Sequence, residues 1–235
     1  MMQLERIAYA DGETALTGWL ARPVGPVRAA VAVYPTFMNT TPGVEAKALA
    51  LAEAGCVSFI ADFYGPDAPH DAQSAFGAME RLRADPLAMR RRLRASLAAL
   101  SEIAPGVPQI AIGFCLGGMA VLELARDGAD LALVASFHGL LATPLPATAP
   151  IIPRILVCHG DADSLVPRSD VTAFWEEMDG VATDWQFMSF AHVEHGFTNP
   201  LTPTRDPNPA YHPLADRQSW AALMGQIDDV APHLA

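Results

Sequence analysis

Cysteine is scarce in this 235-residue chain: Cys56, Cys115 and Cys158 are the only three, an odd number, far apart and outside any Cys-x-x-Cys pair. That spacing excludes a disulfide framework and a zinc knuckle. Positive charge is also short, with 15 Lys and Arg against 26 Asp and Glu and a net charge of −11. A nucleic-acid partner needs a basic patch and a polybasic membrane anchor needs a basic cluster, so neither is expected. No apolar stretch reaches membrane-spanning length, and residues 1–6 hold no basic segment leading into an apolar one. We therefore expect a cytoplasmic protein. No repeat, charge block or low-complexity linker divides the chain, and 51% hydrophobic residues suit a compact core, so one domain over residues 1–235 is expected.

What is present is a run of short, apolar, β-branched segments alternating with helical patterns. Residues 3–8 and 15–21 flank Asp11-Gly12 and predict an antiparallel hairpin. Continuous apolar runs at 29–34, 56–61, 109–113, 131–137 and 151–159 read as strands buried on both faces, with Pro153 interrupting the last. A further strand is expected at 184–190. Helical spacing predicts helices at 41–54, 73–104 with a break near Asp85-Pro86, 116–127, 169–178 and 213–230. In the second half of 73–104, Arg90, Arg91, Arg92 and Arg94 fall off the apolar stripe and read as a solvated face. The alternation implies an α/β fold, a doubly wound and mainly parallel sheet whose site lies at the carboxyl ends of the strands.

Three of those strand ends carry chemistry. The first runs into Gly113-Phe114-Cys115-Leu116-Gly117-Gly118, a nucleophile elbow with cysteine in place of the usual serine. Leu116 would open a helix there, setting its N–H and the positive end of the helix dipole beside the sulfur, which favours thiolate. The second leads into Gly160-Asp161-Ala162-Asp163-Ser164-Leu165-Val166-Pro167, and the third into His192-Val193-Glu194-His195-Gly196-Phe197. The order Cys, Asp, His is the nucleophile, acid, base order of α/β-hydrolases. Thiolate attack on a carbonyl needs an imidazole to hold the proton and a carboxylate to orient that imidazole. His195 is the expected base and Asp163 its orienter. Asp161 and His192 compete for these places, the first suiting a loop cap and the second a strand end.

Together with Asp62-Phe63-Tyr64-Gly65, these blocks resemble the dienelactone hydrolase (carboxymethylenebutenolidase) family over nearly the whole chain. The resemblance implies an α/β-hydrolase domain without a large lid, no metal and no cofactor, and hydrolysis of a small-molecule ester or lactone through an acyl-cysteine. Matched residue by residue, it implies Cys115, Asp163 and His195 as the triad, with an oxyanion hole from the N–H groups of Leu116 and Thr36. It also implies a monomer. Phe37, Tyr64, Arg81 and Arg205 are candidate substrate-binding residues, the arginines because the family's lactone carries a carboxylate; Arg83 is another, and His70 and His138 could line the pocket. One departure stands out: Pro35 falls where close family members carry a glutamate beside the thiol, and proline can neither accept a proton nor donate a backbone hydrogen bond. Glu45 or Tyr34 could substitute for that group. Rival readings are a thioesterase or activated-ester hydrolase, and a non-catalytic relative serving as a thiol-based binding or redox-sensing module.

Overall fold

The structure is a computed structural model that describes residues 3–181, 184–202 and 205–232. The chain opens with the expected hairpin, β1 (Glu5–Asp11) and β2 (Thr14–Ala21), turning at Gly12 with φ +58°. Then follow β3 (Ala29–Tyr34), α1 (Pro42–Glu53), β4 (Cys56–Ile60), α2 (Ala72–Ala84), α3 (Pro86–Ile103), β5 (Gln109–Phe114) and α4 (Leu116–Arg126). The second half adds β6 (Leu133–Phe137), β7 (Arg154–Gly160), α5 (Arg168–Gly180), β8 (Trp185–Phe190) and α6 (Pro213–Val230).

The eight strands form one sheet in the order β1-β2-β4-β3-β5-β6-β7-β8. β1–β2 and β2–β4 are antiparallel and every other pair is parallel. The period-2 alternation of β3 shows how both faces are filled. Ala30, Ala32 and Tyr34 pack with α3, α4 and α5, whereas Ala29, Val31 and Val33 pack with α1 and α6. A strand apolar at every position needs helices on both faces, and the buried strand runs have them.

Local signals set the helix starts. Thr41 accepts a hydrogen bond from the Val44 N–H and Pro42 follows it, which ends the loop after β3 and begins α1. Asp85 caps α3 through the Ala88 N–H, 2.9 Å away, so the helical run of 73–104 breaks there into two. His212 caps α6 through Nδ1. β7 starts at Arg154, later than the sequence pattern suggests, because Pro153 has no N–H to give a ladder.

The four arginines of α3 meet the expectation of a solvated face only in part, since only Arg91 and Arg94 are exposed. Arg90 is buried and bonds Glu123 at 2.7 and 2.9 Å, Arg91 and Arg92 both pair with Asp11, and Arg94 pairs with Asp127. They join α3 to α4 and to the hairpin. No helix among the described residues is long and apolar enough to cross a membrane.

Candidate active site

The nucleophile elbow forms as the motif requires. Cys115 stands between β5 and α4 at φ +55°, a conformation costly for a residue with a Cβ and held there by its surroundings. Gly113 and Gly117 explain the spacing of the motif: a Cβ on Gly113 would run into the Gly117 carbonyl, and one on Gly117 would run into the Tyr34 carbonyl. Strand, helix and the end of β3 are therefore packed backbone to backbone around the cysteine. Leu116 is the first residue of α4, so its N–H is among those with no acceptor inside the helix.

At the next strand ends, Nδ1 of His195 donates to Oδ2 of Asp163 at 2.7 Å, and the Asp163 side chain is fully buried. The Leu165 N–H donates to the other carboxylate oxygen at 2.9 Å, so the loop after β7 fixes the orienting group. Nε2 of His195 is buried and has no regular hydrogen bond. Burial alone would favour neutral imidazole, but the Asp163 hydrogen bond and the adjoining Cys115 sulfur outweigh it and push His195 up to about 10. The competitors lie elsewhere: Asp161 pairs with Arg168 at 2.7 Å, and His192 is exposed at φ +64°.

His138, at the end of β6, is a member of this site that sequence inspection could not separate from a packing residue. It is fully buried at φ +41° and its Nδ1 accepts the Cys115 N–H at 3.1 Å. Its proton therefore lies on Nε2, 2.8 Å from Oγ1 of Thr198, just beyond the His195 loop. Its ring stands edge-on to that of His195, with centroids 5.1 Å apart. Burial, then the charge of His195, holds it well below the usual imidazole range, so it stays neutral.

A cavity of about 390 Å³ opens at Cys115 and His195, and Thr36 and Phe37 line it. The other substrate-binding candidates do not. Tyr64 and Arg81 face a separate hollow beside Asp67, and Arg205 is absent from the cavity wall, as are Arg83 and His70. Tyr64 instead supports the loop after β3, its hydroxyl donating to the Phe37 carbonyl at 2.9 Å. Asp62 holds the same loop, accepting from Asn39 Nδ2 at 3.0 Å and from the N–H groups of Thr17, Tyr64 and Gly65. Tyr34 does not replace the missing glutamate: its hydroxyl donates to the Leu93 carbonyl and meets Ser96 on α3. Glu45 is not on the wall either, and among the described residues no Asp or Glu is. Among the described residues no three His, Cys, Asp or Glu side chains are grouped to hold a metal ion.

The sequence profile of the dienelactone hydrolase family matches residues 16–229. The chain belongs to that family. It is similar to the solved structure titled m3DLH, at 34% identity and TM-score 0.89 over 98% of this chain and 99% of that one. It is also similar to a dienelactone hydrolase-like promiscuous phosphotriesterase from metagenomic libraries, at 31% identity and TM-score 0.87 over 98% and 99% of the two chains. An uncharacterised Caenorhabditis elegans protein, K02A2.1, is 38% identical over 144 residues, 58% of this chain and 90% of its own. Membership places this protein among hydrolases of the esterase type on an α/β-hydrolase fold.

Proposed function

We propose that this dienelactone hydrolase relative cleaves a small ester or lactone through an acyl-cysteine intermediate, with Cys115 as nucleophile, His195 as acid and base, and Asp163 as the orienting carboxylate. The observation that carries this is the buried Asp163–His195 pair, whose unbonded Nε2 adjoins Cys115 at the floor of an open cavity.

In the first step the Cys115 thiolate forms a bond to the carbonyl carbon, and the carbonyl electron pair moves to oxygen. The N–H groups of Leu116 and Thr36 receive that oxyanion. The intermediate collapses, the C–O bond breaks, and imidazolium Nε2 of His195 gives its proton to the departing alkoxide. A lactone opens at this point with its alcohol still attached. In the second step His195, now neutral, takes a proton from water as the oxygen attacks the thioester. Collapse releases the carboxylic acid and restores the thiolate and imidazolium.

Initial rates on a panel of p-nitrophenyl esters and a dienelactone, measured for the protein and its Cys115→Ala variant, test this. Turnover that disappears in the variant is expected. Equal rates in the two proteins would overturn the cysteine mechanism. The likeness to a promiscuous phosphotriesterase adds a neutral phosphotriester to the panel, since the same thiol could attack phosphorus.

A further inference from the structure

The wall of the cavity at Cys115 is built largely from Phe37, Met38, Phe76, Met79, Leu165 and Leu201, and among the described residues no Lys, Arg, Asp or Glu stands on it. Its titratable groups are Cys115 and His195, which carry out the reaction, and His138, which is bonded at both ring nitrogens. Two polar side chains on the wall, Thr41 and Asn208, are engaged as well. Thr41 caps α1, and the Asn208 amide donates to the Gly196 and Asn199 carbonyls. The apolar character continues to the rim, where Phe76 and Leu165 are 59% and 56% exposed. An arginine fork for a substrate carboxylate is missing from this wall, since Arg81 faces another hollow and Arg83 pairs with Glu80.

We infer that the substrate is a neutral ester or lactone with an apolar acyl group, and that this cavity rejects a substrate carrying a carboxylate. The inference rests on the hydrolase reading above and specifies its substrate. Two physical effects work in the same direction. A carboxylate entering this cavity would shed its hydration with no arginine or lysine to replace it, the His195 imidazolium being already paired with Asp163 and next to the Cys115 sulfur. The net charge of −11 adds a repulsive field on approach. An alkyl chain, in contrast, exchanges water for methionine, leucine and phenylalanine surface, worth up to about fourfold in binding per methylene. A cavity of about 390 Å³ accommodates such a chain beside the reacting carbonyl.

The test measures kcat/KM for p-nitrophenyl acetate, butyrate and hexanoate and for the p-nitrophenyl half-ester of adipic acid, each corrected for its hydroxide rate. The protein, Cys115→Ala and Phe76→Arg are compared. Expected are a rise along the neutral series and a half-ester at least about 100-fold below the hexanoate. Phe76→Arg, a change at an exposed rim position, should narrow that gap by about tenfold or more. A flat neutral series, a half-ester cleaved as fast as the hexanoate, or a gap unmoved by Phe76→Arg would each overturn the inference. If Cys115-dependent turnover occurs but favours the charged ester, the hydrolase reading stands and this inference alone falls. If no ester shows Cys115-dependent turnover, both fall.

Discussion

Cys115 and His138 are two non-glycine residues at positive φ, at the ends of adjacent strands, joined by the hydrogen bond from the Cys115 N–H to Nδ1 of His138. Because the other nitrogen of His138 reaches Thr198, the ring ties the nucleophile turn to the segment that carries His195. In the proposed mechanism it is a positioning residue. Replacing it by phenylalanine keeps the volume and removes both bonds, which at about 1 to 3 kcal/mol corresponds to a loss of roughly 10- to 100-fold in kcat. KM should stay nearly constant while alkylation of Cys115 by iodoacetamide slows; unchanged alkylation with a lower thermal midpoint would mean that the residue only packs. His195 gives a pH prediction. With its pKa raised from 6.5 to about 10, the imidazolium that in the proposed cycle protonates the leaving group is present through the neutral range, so acylation should hold steady and fall as the pH passes about 10. The stability from this raised pKa is complete below about 6.5 and is lost as the pH rises through about 10. Stopped-flow acylation rates and urea midpoints across that range check both. That Cys115, Asp163 and His195 come together was legible because each sits in a local motif after a strand. His138 was not, since a histidine at the end of an apolar strand reads the same whether it packs or bonds the elbow.

At the level of elements, α3, α4 and α5 are joined by a chain of charges that no single helix reveals. Arg90 and Arg126 both bond Glu123, and Arg126 continues to Glu177 at 2.7 Å. The same arginines donate to the Leu145 and Leu141 carbonyls, so the segment between β6 and β7 is held too. Glu123 is 2% exposed, and its carboxylate faces two largely buried guanidinium groups. Removing it leaves them without that charge, and Glu123→Ala should lower stability by about 3 to 5 kcal/mol, read as a drop in the urea midpoint. A loss below about 1 kcal/mol would mean that the network behaves as an exposed ion pair. Periodicity placed Arg90, Arg91, Arg92 and Arg94 off the apolar stripe of α3 and predicted solvent there, which Arg91 and Arg94 reach. It could not see that Glu123 and Asp127 on α4, and Asp11 on the hairpin, would meet them. The strand and helix order was readable for the opposite reason, since continuous apolar runs, Thr41-Pro42 and Asp85-Pro86 act within a few residues.

Across the whole molecule, the sheet brings three strand ends separated by 80 residues from Cys115 to His195 to one edge, where a cavity closes over them. Its wall comes from the loop after β3, from α2, from the Asp163 loop and from the segment after His195. Parts that distant in sequence left the substrate side of the site unreadable, and the arginines chosen for it, Arg81 and Arg205, do not stand on that wall. In the proposed cycle Cys115 carries the acyl group between the two steps. Rapid mixing with p-nitrophenyl butyrate followed by acid quench and intact-protein mass measurement tests it most directly, with the modified peptide then sequenced. One acyl group per chain is expected, located on Cys115 and absent from Cys115→Ala, with Cys56 and Cys158, both buried, unmodified. Turnover of that ester by Cys115→Ala at the rate of the unchanged protein, or an acyl group on another residue during turnover, would contradict it.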